Sequence, residues 1–130
     1  MRVLLDTQAW LWMQAAPARF SPGARQLVED PATTLLLSAA SSWEIAIKYG
    51  LGKLELPDPP DVYVPDRMRF GGVTPLPIEH SHALRVAALD LHHRDPFDRL
   101  LVAQAQVEKL PILSADPVFE RYGVEFIPAS

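Results

Sequence analysis

Apolar positions along this chain fall in short runs, most of them ending on a turn former or an acid. Val3-Leu4-Leu5 is too short for a helix and stops at Asp6, so it reads as a buried strand. Thr7 to Gln14 continues with helix-tolerant residues and two tryptophans, Trp10 and Trp12. Ser21-Pro22 opens a helix to Glu29, with Ser21 as its cap, and Asp30-Pro31 closes it. Thr34 to Ser38 is expected as the second strand. Ser41 or Ser42 is expected to cap a helix over Trp43 to Tyr49, with Gly50 and Gly52 as its left-handed stop.

Further on, Lys53 to Pro60 reads as a loop held extended by Pro57, Pro59 and Pro60. Asp61 to Phe70 reads as a weak helix interrupted by Pro65. Val73 to Leu76 is expected as a strand, at an edge because Pro75 cannot donate to a ladder. Glu79 to Leu89 reads as a helix. Asp95 can cap the next one, Pro96 suits its first position, and it runs to Lys109 through Leu100, Leu101, Val102, Ala103 and Ala105. Pro111 to Ser114 is a strand, Pro117 to Tyr122 a helical turn, and Val124 to Ile127 a last strand. Alternation of strands with helices predicts an α/β fold, a mostly parallel sheet with helices on both faces. Ligands of such sheets bind beyond the carboxyl ends of the strands.

Composition narrows the classes. A chain of 130 residues, 48% apolar, is expected as one domain over 1–130 with an ordinary core. With no cysteine, disulfides, thiolate chemistry and Cys-based zinc sites are excluded. This suits the cytoplasm, the expected location. Asp6 spoils a signal-peptide core, and no apolar run is long enough to span a membrane. A net charge of −4 argues against a broad basic footprint for nucleic acid, though not against nucleic acid as substrate.

The carboxylates carry the chemistry. Asp6 and Asp116 follow predicted strands. Glu44 is expected in the first turn of the helix after the second strand, which a right-handed crossover brings to the same edge. Asp98 is expected in the first turn of the Asp95 helix, which this rule places less directly. Each has an ordinary explanation: Asp6 as a turn former, Glu44 as a solvated pair with Lys48, Asp98 as part of a cap with Asp95, Asp116 as a turn opener before Pro117. Together they point elsewhere. Two charges about 4 Å apart repel by about 4 kcal/mol at an effective dielectric near 20. Such a cluster is tolerated when it is protonated or holds a cation. Hard oxygen ligands suit Mg²⁺ or Mn²⁺, and the implied chemistry is metal-assisted phosphodiester hydrolysis.

Four segments carry a family resemblance: Leu4-Leu5-Asp6-Thr7, Ser41 to Lys48 (SSWEIAIK), Arg94 to Ala105 (RDPFDRLLVAQA) and Leu113-Ser114-Ala115-Asp116. In order and spacing the chain resembles PIN-domain ribonucleases, and within them the VapC toxins of type II toxin–antitoxin pairs. The DPFDRLLVAQA segment is the specific one. The resemblance implies a PIN-like three-layer α/β/α fold and an Mg²⁺- or Mn²⁺-dependent endoribonuclease. It implies a site of Asp6, Glu44, Asp98 and Asp116, which are both metal ligands and catalytic residues. Thr7 and Ser114 would support it with hydroxyls, and Asp95 would act as cap first and ligand second. RNA as substrate, a homodimer and a VapB-like antitoxin are implied as well. One departure is Ala115, where many relatives carry Arg. Two other functions remain open: a PIN nuclease of RNA or DNA processing without an antitoxin, and a receiver-like Mg²⁺-binding regulatory domain.

Other features receive plainer readings. His92-His93-Arg94 is expected as a solvated loop in preference to a contact with RNA phosphate, and His80 and His82 are given no function. Gly50-Leu51-Gly52-Lys53 lacks the spacing of a phosphate loop. Trp10, Trp12 and Trp43 are assigned to packing. Tyr63, Met68 and Phe70 are candidates for an antitoxin or dimer contact.

Overall fold

A computed structural model describes residues 1–130. Five strands form one parallel sheet: β1 (Arg2–Leu5), β2 (Thr34–Ser38), β3 (Thr74–Leu76), β4 (Ile112–Ser114) and β5 (Phe126–Pro128). Their order is β3-β2-β1-β4-β5. From β1 the chain winds outward through β2 to β3, then returns to the other side of β1 as β4. The reversal lies between β1 and β4, where open α/β sheets form their ligand crevice.

Side chains alternate across the sheet, as the pleat requires. Val3, Leu5, Leu35, Leu37 and Leu113 face one core with Trp10, Phe20, Ile45 and Val64. Leu4, Leu36 and Ile112 face the other with Leu101, Val102, Phe119 and Tyr122. The first face is covered by α1 (Thr7–Ala15), α2 (Pro22–Glu29), α3 (Ala39–Gly50) and α4 (Pro60–Gly71), and the second chiefly by α6 (Pro96–Glu108). The three layers and the edge position of β3 agree with the sequence expectation.

Several boundaries differ from it. The cap of α3 is Ser38, whose hydroxyl accepts from Ala40 N at 3.0 Å, so Ser41 and Ser42 lie inside the helix. Strand β2 passes into α3 with no loop between them. Gly50 is helical, and of the two expected stop residues only Gly52 has a left-handed φ, +72°. Helix α4 runs through Pro65 without a break. The helix expected to reach Leu89 ends at Arg85 as α5 (His80–Arg85), followed by a 3-10 turn. The last strand starts at Phe126 rather than Val124. Trp10 is core; Tyr63 and Met68 are half-buried and pack against that core, while Phe70 is exposed. Trp43 is 56% exposed and meets Phe97 edge-on.

Candidate active site

Asp6 leaves the end of β1 at the reversal point of the sheet. Its Oδ1 accepts from Ala9 N at 2.7 Å, so it caps α1. Its Oδ2 accepts from the Ser114 hydroxyl at the end of β4. The same Ser114 oxygen accepts from Asp116 N at 2.9 Å, which fixes where the chain turns after β4. Asp116 in turn caps the following 3-10 turn through Val118 N at 3.0 Å. The ordinary cap and turn roles of Asp6 and Asp116 are therefore real, and they leave both residues lining one cavity at the carboxyl edge of the sheet.

Glu44 lies beyond the first turn of α3, not within it, because the helix starts at Ala39. Its side chain still reaches the carboxyl edge, since helical side chains lean toward the N-terminus. Thr7 Oγ1 stands 2.7 Å from Glu44 Oε1 and 2.9 Å from Ser41 Oγ. A hydroxyl carries one proton and an ionised carboxylate can only accept. Thr7 therefore donates to Glu44 and accepts from Ser41. Glu44 Oε2 accepts from the Lys48 ammonium at 2.5 Å. The Glu44 side chain is 8% exposed, so this is not the solvated pair that the spacing suggests.

Helix α6 leads into β4 and runs back along the sheet, so its N-terminus stands at the same edge. Asp95 caps it, accepting from Phe97 N and Asp98 N. The Asp98 side chain takes no part in the cap. Its Oδ2 lies 3.5 Å from His93 Nε2. His93 is turned inward, with Nδ1 2.6 Å from the Tyr122 hydroxyl, which corrects the solvated-loop expectation for this residue. Its Nε2 is buried and makes no hydrogen bond.

One cavity of about 610 Å³ gathers Asp6, Glu44, Asp95, Asp98 and Asp116, with Thr7 and two cations, Lys48 and Lys53. The electrostatics match the crowding. Burial pushes the Asp6 carboxyl from 3.8 up to about 6, against the Ser114 and Ala9 hydrogen bonds and with added repulsion from Glu44 and Asp116. Burial, then repulsion from Asp95, Asp6, Glu44 and Asp116, pushes Asp98 up to about 7. The Glu44 hydrogen bond raises the Lys48 ammonium above its ordinary value.

The donor set suits a hard divalent cation in kind: every candidate ligand is a carboxylate, and two of them resist ionising without a counter-charge. No three acidic or histidine side chains converge closely enough to grip one ion as they stand. Glu44 shows one reason, since both its oxygens already have donors. Sequence reasoning misses Ser41 and the two lysines as site residues, and prefers a solvated loop to a site contact for His93. The Glu44–Lys48 spacing was a usable signal for one of them. Nothing local marks the others.

The PIN domain family matches residues 3–125. Ribonuclease VapC16 of Mycobacterium tuberculosis (strain ATCC 25618 / H37Rv) is 57% identical over 58 residues, covering 45% of this chain and 41% of that protein. The match thus spans less than half of that relative's length. Among solved structures, VapBC2 from Rickettsia felis bound to a DNA fragment from their promoter gives a TM-score of 0.74 at 13% identity, covering 100% of both chains. DNA-bound VapBC from Salmonella typhimurium gives 0.69 at 16% identity, covering 100% of this chain and 99% of that one. At these identities the likeness is one of fold.

Proposed function

Since the chain belongs to the PIN domain family, we propose that it is a metal-dependent endoribonuclease acting as the VapC-type toxin of a toxin–antitoxin pair. The observation that carries this is the single cavity lined by five carboxylates at the reversal point of a parallel sheet. Asp6, Glu44, Asp98 and Asp116 are the residues that would hold Mg²⁺ or Mn²⁺, with Asp95 as cap. A divalent ion there supplies a more acidic water and charge for the phosphoryl oxygens.

The chain's own groups do the rest. Ser114 and Ala9 hold the Asp6 carboxylate from both oxygens. The Ser41–Thr7 relay orients Glu44. Asp95 anchors the start of α6 and so sets the position of Asp98. Lys48 and Lys53 give an otherwise acidic cavity a cationic wall for a phosphodiester.

In this reading residues 1–130 are one PIN domain acting in the cytoplasm as a homodimer restrained by a VapB-like antitoxin. The structural neighbours named as VapBC complexes support that partner. No helix is long and apolar enough to cross a membrane. The test is cleavage of single-stranded RNA by the purified protein, freed of contaminating nucleases, with Mg²⁺, with Mn²⁺ and in EDTA. Cleavage is expected only with metal. Undiminished cleavage in EDTA would overturn the proposal.

A further inference from the structure

Glu44 is held on both oxygens, but by partners of different kinds. Thr7 is partly buried and is itself held by Ser41. Lys48 reaches in from the next turn of α3 with 48% of its side chain open to solvent. Its ammonium makes one hydrogen bond, to Glu44 Oε2, and no other lysine or arginine pairs with a site acid. Lys48 lines the cavity that holds all five acids, and the fields of Asp95 and Asp98 act on it along with that of Glu44. The ammonium therefore sits on the oxygen that a metal ion bound by Glu44 would need.

We infer that Lys48 is a tethered counter-cation: in the metal-free protein its ammonium stands in for the divalent ion at Glu44, and metal binding displaces it. The inference rests on the metal centre proposed above and adds a residue that sets its affinity. A buried carboxylate without a counter-charge is costly, so the tether lets this acidic cavity form before metal arrives. Only the lysine end of the pair is half open to water, so the ammonium has solvent to move into when an ion takes its place. Displacement costs little structure, because the lysine leaves on a flexible four-carbon stem while Thr7 keeps Glu44 oriented. The lysine thus competes with the ion and raises the metal concentration at which the site fills.

The experiment is calorimetric titration of the full chain with Mn²⁺ for wild type, Lys48→Met, Lys48→Arg and Lys53→Met, with melting temperatures with and without Mn²⁺. Lys48→Met is expected to bind Mn²⁺ at least roughly two- to fivefold more tightly, the gain that an exposed ion pair would give and a lower bound for a pair buried at its Glu44 end. Its metal-free melting temperature should fall and its rise on adding Mn²⁺ should exceed that of wild type. Lys48→Arg, which keeps the charge, should stay near wild type. Lys53→Met, which has no contact with Glu44, should gain less. If Lys48→Met does not fold, Lys48→Gln carries the same test. Unchanged or weaker Mn²⁺ binding by a folded Lys48 variant, with wild type binding normally, overturns the inference and leaves the metal centre standing. No Mn²⁺ binding by any form overturns both. Tighter binding in a series that never cleaves RNA upholds the tether and removes the ribonuclease.

Discussion

The Ser114 hydroxyl donates to Asp6 Oδ2 across 108 positions of sequence, and this bond closes the two strand ends that flank the reversal of the sheet. Strands β1 and β4 are already paired through Leu4–Ile112 and Leu5–Leu113. The hydrogen bond carries that register one step further, from backbone into the site. Because Ser114 also accepts from Asp116 N, one hydroxyl positions two of the four acids.

Ser114→Ala should therefore act on both. Asp6 loses the donor that lowers its carboxyl pKa, so it should titrate higher than its present value of about 6. Asp116 N loses its acceptor. The expected stability loss is about 1–3 kcal/mol, the cost of stranding buried polar groups. Metal-dependent cleavage should fall more than Tm alone explains. Carbon-detected NMR titration of Asp6 and thermal melts check this; an unmoved Asp6 titration would show that the bond does not tune the site.

A pH prediction follows from Asp6 and Asp98. Both bind protons more tightly in the folded protein, at about 6 and about 7, than at the ordinary 3.8. Their contribution to stability is full below pH 3.8 and is lost as pH rises through the two folded values. The metal-free protein should thus lose stability between about pH 4 and about pH 8, and Asp98→Asn should flatten that slope. Saturating Mn²⁺ should counter the loss, because the ion binds the ionised form. Melting curves across pH, with and without Mn²⁺, test the sign. A metal-free stability that climbs over this range more steeply in wild type than in Asp98→Asn would contradict it.

Much of this was legible in the sequence, for reasons that differ by residue. Asp95-Pro96 announces the start of α6 because cap and first-turn chemistry are local, and Asp95 caps it as read. The start of α3 was misplaced because Ser38 is both the last residue of β2 and the cap, while Ala39 to Ser42 has no periodicity to mark a helix. Counting turns from Ser41 or Ser42 puts Glu44 too early in α3 but at the edge where its side chain lies, since its reach depends on side-chain direction as well as on helix start. His93 looks solvated from sequence because its packing partner, Tyr122, is 29 positions away. Lys48 was visible as a neighbour of Glu44, but the burial that makes the pair consequential comes only from the assembled layers.

Thr7→Val tests the hydroxyl relay. Valine keeps the shape but removes the donor to Glu44 and the acceptor of Ser41. Glu44 Oε1 then faces an apolar methyl. A tenfold to hundredfold loss of metal affinity or activity is expected, as for other groups that orient a ligand, roughly. Thr7→Ser should restore most of it. Equal activity in Thr7→Val and Thr7→Ser would show that the hydroxyl does no orienting.

The sharpest division lies between Asp95 and Asp98. Asp95 Oδ1 accepts from Phe97 N at 2.9 Å and from Asp98 N at 3.1 Å, so it alone caps α6. The Asp98 carboxylate has no backbone donor, and its His93 neighbour stands at 3.5 Å. Asn is as good a cap as Asp, so Asp95→Asn should keep the helix and most of the activity. Asp95→Ala should cost about 1 kcal/mol of stability. Asp98→Asn removes a charge that four neighbouring acids oppose, so the metal-free protein should hold or gain stability. Its cleavage should fall by more than about a hundredfold, since losing even a group that merely orients a ligand can cost that much. Melting temperature and Mg²⁺-dependent RNA cleavage, measured for all three variants, separate the roles. A stable Asp98→Asn protein that cuts RNA at the wild-type rate would remove Asp98 from the metal centre and leave Asp6, Glu44 and Asp116 to hold it.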